Sequence, residues 1–154
     1  MNTFLMDLLH NRMLIAALAG WITAQILKLF INAITQKTMD IHRLFGDGGM
    51  PSGHSATVTA LATTAAIENG LGSPAFAISM VVAIIVMHDA MTVRAEAGKH
   101  ARALNQMKLE WNPDLPPEEM FKEFLGHTPS QVIVGGVWGI AVAIAVHNLI
   151  PPMG

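Results

Sequence analysis

Four stretches of the chain are apolar almost without interruption, and the polar segments between them set the organisation of the rest. The first runs from Met13 to about Ile34 and is long enough to cross a hydrocarbon layer of about 30 Å. Gln25, Lys28 and Asn32 break it at spacings of three and four, so they share one helix face. A lysine within such a span has two readings. It belongs to a functional site, or its stem is buried while the ammonium snorkels to the interface. Residues 35–50 form a polar loop. Residues 55–69 then alternate alanine, threonine and valine in a small-residue helix, ended by Glu68-Asn69 and a capping Gly70. At about 15 residues this helix is short for a crossing unless its start lies inside the protein. A further span runs from about Pro74 to Val93, with His88, Asp89 and Arg94 at its far end, and the last from about Val132 to Ile150 carries Gly135, Gly136 and Gly139.

Outside these runs, residues 1–11 read as a short interfacial helix. Residues from Arg94 to about Met107 read as a polar helix outside the hydrocarbon. Asn112 to Pro117 is a loop, and Glu118 to Leu125 a short amphipathic helix closed by Gly126. There is no internal repeat. The pattern predicts an all-α integral membrane bundle of about four transmembrane helices plus short interfacial helices. It forms one domain over 1–154, with a polar insertion at about 95–126.

Composition supports the membrane reading. Of 154 residues, 52% are hydrophobic and only 13% charged, and the mean hydropathy is +0.45. A typical soluble domain is roughly a quarter charged. The net charge of −2 carries no basic excess, so a nucleic-acid partner is not expected. Cysteine is absent, which excludes disulfides, thiolate chemistry and Cys-ligated metals; tyrosine is absent as well. Asp7 interrupts the apolar start and no basic cluster precedes it, so a cleaved signal peptide is not expected.

Candidate chemistry concentrates at Gly48-Gly49-Met50-Pro51-Ser52-Gly53-His54-Ser55. Pro51 disfavours helix before it and suits a first helical turn. The glycines allow close backbone approach, and the helix that follows begins with free N–H groups and a positive dipole end, a place for an oxyanion. Ser52 adds a hydroxyl, and His54 a group that exchanges protons near neutral pH. Read blandly, the same residues are a helix start with a capping serine.

Pro51-Ser52-Gly53-His54 resembles the second signature of the type-2 phosphatidic acid phosphatase superfamily, which also contains the vanadium haloperoxidases. The chain is most similar to its short, divergent bacterial and plant branch. The family's first signature, Lys-x6-Arg-Pro, would begin at Lys28, but Thr35 and Gln36 stand where Arg-Pro belongs; Arg43 is the nearby arginine that could supply the guanidinium. Two histidines compete for the third signature, Ser-Arg-x5-His-x3-Asp. His100 has the right distance from Arg94, but Val93 precedes that arginine and Leu104 replaces the aspartate. His127 opens His127-Thr128-Pro129-Ser130-Gln131-Val132, followed by Gly135 and Gly139, which is similar to the family's His-x-Pro-Ser-Asp-Val run with its spaced glycines. The third signature is therefore read as split, with Arg94 in one half, His127 in the other and residues 95–126 between them. Gln131 replaces its aspartate, and Asp89 is the carboxylate that could substitute.

The resemblance implies hydrolysis of a lipid phosphomonoester or diphosphate through a phosphohistidine. His127 would be the nucleophile, His54 the acid and base, and Asp89 the orienting carboxylate. Lys28, Arg43, Ser52, Gly53 and Arg94 would hold the phosphate, with no metal and no other cofactor. A haloperoxidase fits less well, because those relatives are larger soluble proteins. The alternative from another class is a catalytically silent membrane protein that binds anionic headgroups or a protein partner through a degenerate site. Expected partners are the bilayer and a lipid phosphate, and the glycine-rich faces are compatible with a homo-oligomer.

Four crossings place Ser52, His54, Arg94 and His127 on one membrane face. Apart from the proposed phosphate ligands, that face carries Lys37, Lys99, Arg102, Lys108 and Lys122, and the other only Arg12. The positive-inside rule thus predicts a cytoplasmic site, in a bacterial inner membrane or a plastid-type membrane.

Overall fold

The computed structural model describes residues 6, 8–36, 49–123 and 126–150, and among these there is no strand. Five helices follow in order: α1 Arg12–Gln36, α2 Gly53–Asn69, α3 Pro74–Met91, α4 Val93–Trp111 and α5 Pro129–Leu149. A 3-10 turn covers Pro117–Glu119. The starts of α1, α2, α3 and α5 are written in the sequence, whereas α4 follows Thr92 without a side-chain cap. Asn11 accepts a hydrogen bond from the Leu14 amide through its side chain at 3.1 Å. Ser52 and Ser73 cap α2 and α3 through their hydroxyls, and Pro74 occupies the first turn of α3. Thr128 and Gln131 form a reciprocal capping box at the start of α5. At the other end of α2, Gly70 adopts φ +81°, the left-handed conformation glycine takes without strain.

Helix α2 is the centre. It packs against α1, α3 and α5, and α1 also meets α5. Its buried residues are small: Gly53, Ser55, Ala56, Val58, Ala60, Ala62, Thr64 and Ala65. Where lipid replaces water outside the bundle, close packing and interhelical hydrogen bonds hold helices together, so small side chains at the contacts are favoured. A Cβ on Gly20 of α1 would lie 2.9 Å from the Ala56 carbonyl oxygen, and one on Gly139 of α5 would collide with the same oxygen and with the Thr59 hydroxyl. Thr59 also donates to the Gly136 carbonyl at 3.1 Å, and the Trp138 indole donates to Thr23 at 3.0 Å. The large side chains of α1, α3 and α5 point outward, among them Phe30, Ile78, Ile84, Ile85, Ile133 and Val137.

Three stretches are long and apolar enough to cross a membrane: Arg12–Ile34, a window within the continuous run Pro74–Trp111, and Pro129–Leu149. Helix α2 is different. Its 17 residues reach only about 25 Å, and it is enclosed by the other helices. Three helices thus have the length and hydropathy to span, and α2, the fourth expected crossing, is shorter and packed among them. The predicted helix over 118–125 is corrected over its described part. After the turn at Pro117–Glu119 the chain has no regular secondary structure from Met120 to Glu123, because the Phe121 backbone bonds to the Asn105 side chain in place of a helical ladder, and residues 124 and 125 lie outside the described residues. Of the expected interfacial helix at 1–11, Met6, Leu8 and Leu9 are helical; its other residues before Leu8 lie outside the described residues.

At the end of the bundle away from the Ser52 turn, Arg12 is buried, 8% exposed, and donates to Glu68 at 2.5 Å. It also donates to the last carbonyls of α5, at His147 and Ile150, while Glu68 lies 3.2 Å from His147 Nδ1. One guanidinium thereby joins the start of α1, the end of α2 and the end of α5. Removing its carboxylate leaves a charge uncompensated in a mostly buried place. Glu68→Ala is therefore expected to lower stability in detergent by about 2 kcal/mol, read as a lower thermal midpoint, whereas Glu68→Gln is expected to lose less because its amide oxygen still accepts from Arg12. An unchanged midpoint for Glu68→Ala would show that the cluster is incidental.

Candidate active site

The site grows from two helix starts that meet. Ser52 is fully buried, and its hydroxyl accepts from the Ser55 amide at 3.3 Å and lies 3.1 Å from the Ser55 hydroxyl. Its own amide donates to the Gln131 carbonyl at 3.1 Å, in the first turn of α5. Gly135, one turn further, lies so close that any Cβ would strike the Ser52 carbonyl. The N-termini of α2 and α5 are thus pinned side by side. His54 stands in the first turn of α2 and His127 just before α5. Their ring centroids are 6.0 Å apart, with the ring planes at 56°.

His127 is buried at 7% exposure, and its amide donates to the Ala90 carbonyl at 2.9 Å. That bond closes a long excursion. The chain leaves the bundle along α4 and returns antiparallel to it: Lys108 donates to the Glu119 carbonyl, Asn105 exchanges two bonds with Phe121, and Arg102 pairs with Glu123 at 3.0 Å. Gly126 then presses against Ala95, where a Cβ would come within 2.7 Å. Residues 95–126, the predicted insertion, therefore begin and end at one place, and His127 comes back to the end of α3 beside Arg94. Arg94 itself lies 3.5 Å from Asp89, which pairs the two side chains proposed for phosphate binding and orientation.

From α1, Lys28 reaches the same neighbourhood. It is 4% exposed, inside the protein rather than at the lipid boundary, and its stem would lie 3.5 Å from a Cβ on Gly49. Gln25, one turn earlier, faces Gly53, whose Cβ would lie 3.6 Å from the amide nitrogen. Arg43 lies outside the described residues. His100 is exposed on α4. Gln131, at the place of the expected aspartate, is committed locally: its side chain accepts from the Thr128 amide at 3.1 Å. The Thr-x-x-Gln spacing already carried that capping role in the sequence, whereas the Asn105 clasp had no sequence signal. Among the described residues no group of three or more His, Cys, Asp or Glu is placed to hold a metal ion.

These elements coincide with what the chain is similar to. A family model described as "Divergent PAP2 family" matches residues 9–142, from before α1 to within α5. The chain belongs to the divergent PAP2 family. It is also 40% identical, over 151 residues covering 90% of this chain and 96% of the relative, to a protein of Bacillus subtilis (strain 168) described as "Uncharacterized membrane protein YuiD". No solved structure matches. Membership in the divergent PAP2 family, the membrane protein among its relatives and three spanning-length helices agree on a membrane location.

The Arg102–Glu123–Asn105 clasp generates a pH prediction. Hydrogen bonds from Arg102 and then Asn105 hold the Glu123 carboxyl below its ordinary range. A carboxyl lowered on folding contributes its stability above the unfolded value and loses it as pH falls through the folded one. The clasp is therefore intact at neutral pH and loosens only below the ordinary glutamate range. A carbon-detected NMR titration of Glu123 in micelles is expected to show a depressed midpoint that moves back toward the ordinary value in Arg102→Gln, with the Asn105 bond retaining part of the depression. An ordinary midpoint in the unaltered protein would contradict the clasp.

Proposed function

We propose that the chain is a membrane lipid phosphate phosphatase that works through a phosphohistidine on His127. The observation that carries this reading is the approach of His127 and His54 beside the joined starts of α2 and α5. An in-line displacement needs a nucleophile at roughly 3 Å on one side of phosphorus and a proton donor within roughly 3 Å of the leaving oxygen on the other. Two rings 6.0 Å apart accommodate a phosphoryl group between them.

A ring nitrogen of His127 attacks phosphorus while the bond to the lipid oxygen breaks, and His54 delivers a proton to that oxygen. His54 then removes a proton from water, whose oxygen attacks phosphorus. The phosphorus–nitrogen bond breaks, releasing inorganic phosphate and neutral His127. Backbone amides at Ser52 and Gly53, with Lys28 and Arg94, stabilise the charge spread over the equatorial oxygens. Asp89 holds Arg94 in place. The site is proposed to face the cytoplasm, since Lys37, Lys99, Arg102, Lys108 and Lys122 are counted on its side and only Arg12 on the other.

A second reading has its own support. Gln131 is a neutral amide committed to capping α5, and no carboxylate occupies that place to orient His127. A silent binding protein for anionic lipid headgroups would keep the pocket and dispense with turnover. Phosphate release measured on the purified protein across phosphatidate, phosphatidylglycerophosphate and isoprenoid (di)phosphates separates the two. Release is expected from at least one lipid, falling on the order of 10³-fold or more in His127→Ala and changing less than about threefold in His100→Ala. Absence of release from every lipid would favour the silent protein, and loss in His100→Ala alone would move the nucleophile to α4.

A further inference from the structure

Helix α4 has two sides. The returning segment packs on the side that buries Gly98 and Asn105, where Asn105 bonds to Phe121. The other side is an apolar stripe. Val93, Ala97, His100, Leu104, Met107 and Trp111 are all exposed there, Trp111 at 96%. Their spacings alternate between four and three from end to end. A helix packed on a globular core shows a wider apolar face, whereas a strict alternation of three and four is the narrow seam of a coiled coil. Ala97, Leu104 and Trp111 take the first heptad position, and Val93, His100 and Met107 the fourth.

The junction with α3 decides what can cover this seam. The Thr92 amide donates to the His88 carbonyl at 3.0 Å, and the Glu96 amide to the Thr92 carbonyl at 3.0 Å, so the helical ladder runs on through the junction. Helix α4 therefore continues the spanning helix out of the bilayer, and its 19 residues reach about 28 Å. Leu104, Met107 and Trp111 are carried away from the hydrocarbon. Acidic residues also outnumber basic ones between 95 and 126, so an anionic leaflet does not draw the segment down. The glycine-rich face of α5 is already occupied, since Gly135 and Gly139 meet Ser52, Ala56 and Thr59.

We infer that the α4 stripe pairs with the α4 stripe of a second copy of this chain, as a parallel coiled coil outside the membrane. The charges beside the seam fit that arrangement. Glu96 and Glu110 flank it on one edge, and Arg94 and Lys108 on the other. Two copies in one bilayer share one orientation, so a two-fold axis along the membrane normal runs their α4 helices parallel. In a parallel pair the acidic edge of each helix faces the basic edge of the other, whereas an antiparallel pair sets acid against acid. The inference is independent of the phosphatase reading.

The chain has no cysteine, so single cysteines report the seam directly. In the full chain, reconstituted sparsely in liposomes, Leu104→Cys is expected to crosslink to itself on mild oxidation at least about tenfold more than Gln106→Cys, which is exposed on another side of the helix. Adding Met107→Glu to Leu104→Cys is expected to bring the yield down to the Gln106→Cys level. Adding His100→Leu, which removes the polar member of the seam, is expected to raise it. All four positions are exposed on α4, so the bundle folds without them. Equal crosslinking at 104 and 106 would show collisions only, and no crosslinking at 104 would show a monomer; either overturns the pairing. A nitroxide attached through Leu104→Cys that is relaxed by oxygen dissolved in the lipid, with no second label near it, would place the stripe on the bilayer and overturn it as well.

Discussion

The hydrogen bond from the Ser52 amide to the Gln131 carbonyl is the contact on which the rest of the arrangement depends. It fastens the first turn of α2 to the first turn of α5. Each helix presents the positive end of its dipole there, and two such ends side by side repel one another. Proteins hold helix starts together against that repulsion where an anion is to be bound between them. In the proposed reaction, the phosphate of the lipid is the anion that satisfies both ends. The two histidines then follow from sequence position, since one lies just inside α2 and the other just before α5.

Holding those starts together imposes demands on the packing elsewhere. Gly135 must lack a side chain because the Ser52 carbonyl occupies the space, and Gly139 must lack one because Ala56 and Thr59 do. The buried positions of α2 must be small, since α1, α3 and α5 all close on it. The distal end needs its own fastening, and Arg12 supplies it by bridging Glu68 and the carbonyls that end α5. The excursion through α4 adds a second constraint. It must return His127 to Ala90, and Asn105, Arg102 and the tight contact of Gly126 with Ala95 fix the return path.

Much of this was legible in residues 51–54 and 127–139, because helix caps, proline and spaced glycines are local signals. The boundaries of α1, α3 and α5 fall within a few residues of the apolar runs that predict them. The status of α2 was harder to read. Its composition resembles a short transmembrane span, and only its contacts show a buried central helix. The segment after Pro117 was misread because glutamate and phenylalanine at helical spacing suggest a helix, while the bonds that decide its form come from Asn105, which is distant in sequence. Gln131 reads as a missing aspartate against the family pattern and as half of a capping box against Thr128. Both descriptions hold, and the second explains why a glutamine is at home there.

The central claim concerns a covalent bond, so trapping that bond tests it most directly. The protein in detergent would be mixed with a lipid phosphate carrying labelled phosphorus, quenched rapidly at alkaline pH where phosphohistidine survives, digested and sequenced by mass spectrometry. The expected result is label on His127, absent from His127→Ala and slower both to form and to decay in His54→Ala, where each half of the reaction lacks its proton carrier. Label on another residue, or turnover with no labelled histidine at all, would contradict it.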